Sequence, residues 1–320
     1  MKILYIYRDY KGRRKDYGKM MVKCGHEVKY LSILEKKIKN QVSKKYIKKH
    51  NPDIIWILIP FYIQYRVISD EAMEYIKSKK IPIVMYCTFN PSVPYPDMMD
   101  TWKKIDFLFL QNKEICEFLK KKNLNAHHFP LAFYPNQYYR TVSSSKKYDV
   151  SFMGNALTFM PAEVDKRAIY LQSIKKYNLK VYGESFRGRL RGIRVSPYRG
   201  HEVERKAYGV TNINLSLPFI NCTHKFYRNK YHFKNRFFEI PATGNFMLTL
   251  RDPEFLDIFD EDTVGYYDAN IESFKESIDR YLKDGKKRKK MAEKAYKLVH
   301  EKHTFLHRFK EMFKIIERDM

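Results

Sequence analysis

Arg236 and Glu239 stand three residues apart in a stretch, 235–249 (NRFFEIPATGNFMLT), that reads as a short helix, a glycine turn and a buried strand. Phe237, Phe238 and Ile240 can face a core while the base and the acid share another side of the helix. A guanidinium grips phosphate oxygens, and a carboxylate accepts from sugar hydroxyls. The pair therefore suits a ligand with a ribose and phosphates, although an ordinary surface ion pair uses the same two residue types. Gly244 permits a sharp turn after the helix, and Phe246, Met247 and Leu248 then run apolar like a central strand.

Other stretches carry compatible chemistry. Gly154 and Asn155 follow an expected strand at 148–153, where backbone N–H groups can meet an anion. Tyr182 and Gly183 end another strand and can flank a nucleobase. Arg187, Arg189, Arg191, Arg194 and Arg199 crowd a glycine-spaced segment, which is costly unless an anion neutralises them or water solvates them. Residues 219–234 (FINCTHKFYRNKYHFK) interleave His224, Lys225 and four further basic groups with aromatics, a pattern suited to bases, sugars or lipid headgroups. Asp260, Glu261 and Asp262 form a D-x-D string that reads as a plain loop, and His127 with His128 reads as structural. No zinc-protease, nucleophile-elbow or Walker motif occurs.

The elements that must position these residues alternate. Strands are expected at 2–7, 26–31, 53–59, 81–86 and 106–110, separated by helices at 16–24, 69–79 and 112–122, with 126–131 closing the first half. Residues 133–147, with Pro135 and three serines, read as a linker. The rhythm restarts with strands at 148–153, 179–182, 211–217 and 263–267 and ends in helices at 271–283, 286–300 and 303–317. The fold class is α/β with two Rossmann-like halves. The first lacks G-x-G-x-x-G after its opening strand, which argues against a dinucleotide there.

Composition bounds the rest. A chain of 320 residues favours two domains. Lys and Arg number 62 against 36 Asp and Glu, a net charge of +26 that attracts polyanions: nucleic acid, anionic membrane or phosphorylated substrates. The four cysteines, Cys24, Cys87, Cys116 and Cys222, form no C-x-x-C pair and read as reduced thiols of a cytoplasmic protein without a zinc site. The longest apolar run, 54–63, is about half of what a membrane-spanning helix needs, so any membrane association is expected to be peripheral.

Taken together, Arg236-Phe237-Phe238-Glu239, Ala242-Thr243-Gly244 and Phe246-Met247-Leu248 resemble the R-x-F-E-x-x-A-x-G-x-F-x-L signature of CgeB-like, spore-maturation-type glycosyltransferases of group 1. Asp149 to Asn155, Tyr182-Gly183, 254–259, 264–267 and 303–309 extend the resemblance over most of 148–317, while the first half matches only in rhythm. The resemblance implies a GT-B fold: two Rossmann-like domains across a cleft, an acceptor domain at 1–140, a donor domain at 148–302, and a helix at 303–320 returning to the first. It implies that Glu239 takes the ribose and Arg236 the diphosphate. Gly154, Asn155, Tyr182 and Gly183 would lie along the donor, and Thr243, Gly244 and Asn245 would offer backbone N–H groups to it. Arg187, Arg194, His224 and Lys225 are candidate phosphate or acceptor contacts. No metal and no cofactor beyond a nucleoside-diphosphate sugar is implied. The family places an acidic pair before a proline where this chain has Phe89-Asn90-Pro91, so Asn90, Asp97 and Asp100 are the candidates for the acceptor side.

The expected function is transfer of a sugar from a nucleotide sugar to an acceptor hydroxyl, with a polyanionic acceptor: DNA with hydroxylated bases, a cell-wall polymer, or one at a membrane. A non-catalytic polyanion-binding protein on a degenerate transferase scaffold is the alternative, motivated by Asn90.

Overall fold

The structure, a computed structural model, describes residues 1–7, 15–32, 42–58, 68–87, 99–100, 102–156, 165–197, 200–219, 231 and 234–320. The chain divides into two units, Met1–Pro130 with Phe305–Met320, and Leu131–Thr304.

The first unit is built on a six-stranded, all-parallel sheet. Its strands are β1 (Lys2–Tyr7), β2 (Glu27–Ser32), β3 (Ile54–Leu58), β4 (Ile83–Cys87), β5 (Phe107–Leu110) and β6 (Ala126–His128), in the order β2-β1-β3-β4-β5-β6. IIWIL, IVMYC and FLFL in the centre are wholly buried, because helices cover both faces of such a sheet. The helices are α1 (Lys15–Lys23), α2 (Lys44–His50), α3 (Asp70–Ser78) and α4 (Lys113–Lys120). Side chains start them: Ser69 Oγ accepts from the Ala72 N–H at 3.2 Å, and Asn112 Oδ1 from the Ile115 N–H at 2.9 Å.

The second unit repeats the plan with β7 (Tyr148–Met153), α5 (Lys166–Ser173), β8 (Leu179–Tyr182), β9 (Arg194–Ser196), α6 (Gly200–Gly209), β10 (Thr211–Ser216), α7 (Arg236–Ala242), β11 (Met247–Leu250), α8 (Pro253–Leu256), β12 (Gly265–Tyr267), α9 (Ile271–Lys283) and α10 (Gly285–Lys302). The strand order is β12-β11-β10-β7-β8-β9, again all parallel. Counted from β7 as the first, this is the doubly wound order 3-2-1-4-5-6, in which the strand sequence reverses between β7 and β10 and leaves a crevice outside their carboxyl ends. The last helix, α11 (Phe305–Asp319), returns to the first unit. Phe305 meets Tyr17 edge-on at 5.0 Å between ring centroids, and Phe313 packs on Trp56 at 5.5 Å.

Two expectations change. The glycine-spaced arginine segment is not one loose loop: Glu184–Phe186 form a 3-10 turn and Arg194–Ser196 an edge strand. The expected linker is a strap laid on the second unit. Phe133 and Tyr138 are buried, the Thr141 N–H donates to the Thr243 carbonyl at 3.0 Å, and the Lys147 N–H donates to the Val210 carbonyl at 2.7 Å. Its aromatic content, not its proline and serines, decided this. No described helix is long and apolar enough to cross a membrane.

Candidate functional site

Two strand ends, of β7 and β8, meet beside the reversal point of the second sheet. The Gly154 N–H, directly after β7, donates to the Tyr182 carbonyl at 2.8 Å, and the Gly183 N–H after β8 donates to the Ser196 carbonyl at 2.9 Å. A Cβ on Gly183 would lie 1.9 Å from the Gly154 carbonyl oxygen, so only glycine lets the two turns close up. Gly154 has φ +151°, and a Cβ there would sit 2.9 Å from both Nη atoms of Arg236. The bare backbone of one turn thus carries a guanidinium against it.

Three basic side chains converge here. Arg236 opens α7, half-buried, with its guanidinium carbon 5.5 Å from the centre of the Phe152 ring. Arg167 is almost wholly buried in the first turn of α5. Its Nη1 donates to the Asn155 carbonyl at 2.7 Å and its Nη2 to the Phe219 carbonyl at 2.6 Å. Burial, and then the like charge of Arg236, pull Arg167 down to about 9. Burial, followed by Arg167 and Arg236, holds the Lys234 amine well below the usual lysine range. At neutral pH the two guanidiniums remain cations. Burial is the larger cause of both shifts and like-charge repulsion the smaller, and an anion among the three would offset both.

Unmet hydrogen-bonding capacity marks the same place. Among the described residues, Arg236 Nε, Arg167 Nε and Ser216 Oγ are buried without a hydrogen-bond partner. Ser216 is the last residue of β10, one past Leu215, which pairs in register with Phe152 of β7. Buried orphan groups cost roughly 1–3 kcal/mol each, so three in one crevice point to a polar ligand. Asp165, fully buried, offsets part of the charge on Arg167. Its carboxylate caps α5 through the Arg167 N–H at 3.0 Å and lies 3.6 Å from Arg189.

Glu239 follows Arg236 by one turn of α7 and is 8% exposed. Among the described residues no ion pair joins it to Arg236, so the surface-pair reading of these two residues fails.

Residues 166–314 match the family model described as glycosyl transferase-like. No curated protein matches the chain by sequence. Among solved structures, sucrose-phosphate synthase from Thermosynechococcus elongatus superposes with a TM-score of 0.67 at 9% identity, over 100% of both chains. HepE from Anabaena, in complex with UDP-glucose, gives 0.66 at 7% identity over 99% of this chain and 100% of its own. An α-glucosyltransferase in complex with UDP and a 13-mer DNA containing an HMU base gives 0.62 at 13% identity over 99% of each. The fold is GT-B. The family match covers less than half of the chain, and the solved structures, all of low identity, show the fold.

Within that fold the candidate residues separate. Gly154, Gly183 and Arg236 come together at the carboxyl edge of the second sheet, with Glu239 one helical turn away. Asn155 adjoins them, exposed, its carbonyl taken by Arg167. Tyr182 gives its carbonyl to the turn, but its ring lies 5.3 Å from the Lys180 amine, two residues back along β8. Thr243, Gly244 and Asn245 lie elsewhere. They follow α7 and precede β11, at the amino edge, about 10 Å along the helix from Arg236. Asn245 Nδ2 donates to the Thr141 carbonyl at 3.0 Å and to Thr243 Oγ1 at 2.9 Å, and a Cβ on Gly244 would meet the strap residue Val142 at 3.4 Å. These three residues hold the strap. Arg187 and Arg194 are exposed, whereas Arg189 is engaged with Asp165. Asp100 is exposed in the first unit and lies 3.4 Å from Lys103. Asn90, Asp97, Arg199, His224 and Lys225 lie outside the described residues. Of the D-x-D string, Glu261 pairs with Arg251, and Asp262 pairs with Lys294 at 2.7 Å.

Sequence reasoning missed Arg167, Ser216 and the separate importance of Lys234. Arg167 was findable: it stands one before Ala168 and four before Leu171, a cation on the buried side of an amphipathic helix. Ser216 gave no signal, since a serine in a strand is ordinary.

Proposed function

We propose that the chain is a CgeB-like glycosyltransferase that binds a nucleoside-diphosphate sugar at the carboxyl edge of its second sheet. The convergence of Arg167, Lys234 and Arg236 on the paired glycine turns, with buried N–H and O–H groups left over, carries this reading. Two adjacent phosphates are the anion that two guanidiniums and a lysine amine suit. Arg236 and Lys234 take phosphate oxygens, with Arg167 behind them, and the Gly154 turn lets the diphosphate approach the backbone. Glu239 accepts from the ribose hydroxyls. In transfer, the bond between the anomeric carbon and the diphosphate oxygen breaks, the oxygen leaves with the electron pair, and the acceptor oxygen bonds to that carbon as its proton departs. Charge grows on the leaving diphosphate, where fixed cations stabilise it most. The same cations supply the charge that a divalent metal supplies elsewhere, so transfer proceeds without one. Two neighbours carry UDP or UDP-glucose, which makes a uridine donor the first to test. The net charge of +26 favours a polyanionic acceptor, and one neighbour's DNA ligand makes DNA with hydroxylated bases the leading candidate.

Calorimetry on the full-length protein separates the roles. Arg236→Gln is expected to weaken both UDP and inorganic diphosphate by at least about tenfold, since it removes a charge-assisted contact. Glu239→Ala is expected to weaken UDP but leave inorganic diphosphate unchanged. Equal UDP affinity in wild type and Arg236→Gln sinks the site. Turnover of a UDP-sugar that survives EDTA supports metal independence, and its loss with recovery on adding Mg²⁺ or Mn²⁺ overturns that part.

A further inference from the structure

A second basic concavity lies in the same unit, at the opposite, amino edge of the sheet. It encloses about 750 Å³ and is lined by Ser143, Lys146, Asn212, Lys286, Arg288 and Lys289 among others. The strap supplies Ser143 and Lys146, and the first turns of α10 supply the other cations. Nothing in the donor site uses them. That volume is in the range of small-molecule sites.

The arrangement is built. Lys146 Nζ donates to the Gly209 carbonyl at 2.7 Å and reaches Asn245 Oδ1 at 3.5 Å, which fixes the amine at the cavity wall. Arg288 is held still by its own bonds, Nη1 donating to the Leu282 carbonyl at 3.0 Å and Nη2 to Asn212 Oδ1 at 2.9 Å. Its delocalised charge acts on the Lys146 amine. Asp149 and Asp284 act on Arg288, and Asp284 spends one oxygen capping the Lys287 N–H at 2.8 Å. Burial first, then Arg288 and Lys289, bring the Lys146 amine down to about 8. Fixed cations that repel one another inside a concavity are relieved by one bound dianion.

We propose that this cavity binds the phosphate group of a small phosphorylated ligand, at a site separate from the donor crevice. Lys146 supplies a fixed ammonium at the wall, exposed Lys289 a mobile one, and Arg288 fixed charge. A concave site of this volume suits a phosphate monoester, whereas a duplex backbone needs a surface it can lie along.

The test titrates inorganic phosphate into full-length protein by calorimetry, in an Arg236→Gln background that weakens the donor crevice. Phosphate binding is expected to persist there and to weaken at least about tenfold when Lys146→Met or Lys289→Glu is added. Its strength is expected to fall as pH rises through about 8, as Lys146 loses its proton, and the fall is expected to flatten in Lys146→Met. Arg288 is left intact, because its carbonyl bonds make it structural. Cooperative thermal unfolding confirms that each variant is folded. Loss of all phosphate binding in Arg236→Gln alone overturns the proposal. So do unchanged affinities in both lysine variants, or binding of a DNA oligonucleotide that depends on Lys289 while phosphate fails to bind. Because the donor reading is scored on UDP and Arg236, its failure and this one are distinguishable.

Discussion

Single residues decide how closely the two strand ends approach. Gly183 has no room for a side chain, because a methyl group would overlap the Gly154 carbonyl oxygen. Gly183→Ala is therefore expected to cost about 1–3 kcal/mol in denaturant unfolding, as overpacking does. Gly188, with open space around it, gives only the smaller penalty of its positive φ on the same change. Similar costs for both would refute the close-approach argument. Lys146 makes a second prediction, through pH. Its folded-state value of about 8 lies below the 10.5 of an unperturbed lysine, so the native state binds the proton less well than the unfolded chain. The charged amine destabilises the fold fully below about pH 8, and the penalty is relieved as pH rises toward 10.5. Wild type should gain stability across that window relative to Lys146→Met. Parallel pH profiles for the two proteins would show that the amine is not shifted.

At the scale of elements, α7 divides one continuous sequence signature between two edges of a sheet. Its first residue, Arg236, stands at the carboxyl edge, and its cap, Thr243, stands at the amino edge. The helix must run back across the sheet to feed parallel β11, so residues adjacent in the signature serve different ends. Thr243 Oγ1 donates to the Ile240 carbonyl at 2.7 Å and accepts from Asn245, which binds the strap. Thr243→Val is expected to lower stability by about 1 kcal/mol and leave UDP affinity within about twofold of wild type. A large loss of UDP affinity would return Thr243 to the donor site. The strap shows the same logic. Tyr138 is buried against α6, its hydroxyl bonded to Glu204 and 2.8 Å from His201 Nδ1, so a segment rich in turn-forming residues is anchored by its aromatics.

Across the whole molecule, the charge of +26 is unevenly placed. α10 alone reads GKKRKKMAEKAYKLVHEK, with its first turns almost entirely basic. If the acceptor is DNA, fluorescence anisotropy should show binding to a duplex that weakens by about a thousandfold or more between low and physiological salt, the signature of several released counterions. Binding that is absent at low salt, or flat against salt, removes DNA as the acceptor. The C-terminal helix α11 leaves the second unit's sequence neighbourhood and completes the core of the first, with Phe309 and Phe313 against Trp56.

The sequence by itself determined the alternation of strands and helices, the two α/β units and the placement of Arg236 and Glu239 on one short helix. Apolar runs such as IIWIL and FLFL have no stable home except the middle of a covered sheet, and that constraint is local. Only the tertiary structure decided which strand ends are neighbours, because strand order is set by long-range pairing that no local pattern encodes. That order brings Gly154 to Gly183, seats Arg236 over the first turn and gathers Arg167, Lys234 and Ser216 around them from segments far apart in the chain. It also sends Thr243, Gly244 and Asn245, inseparable from Arg236 in the motif, to the other edge of the sheet.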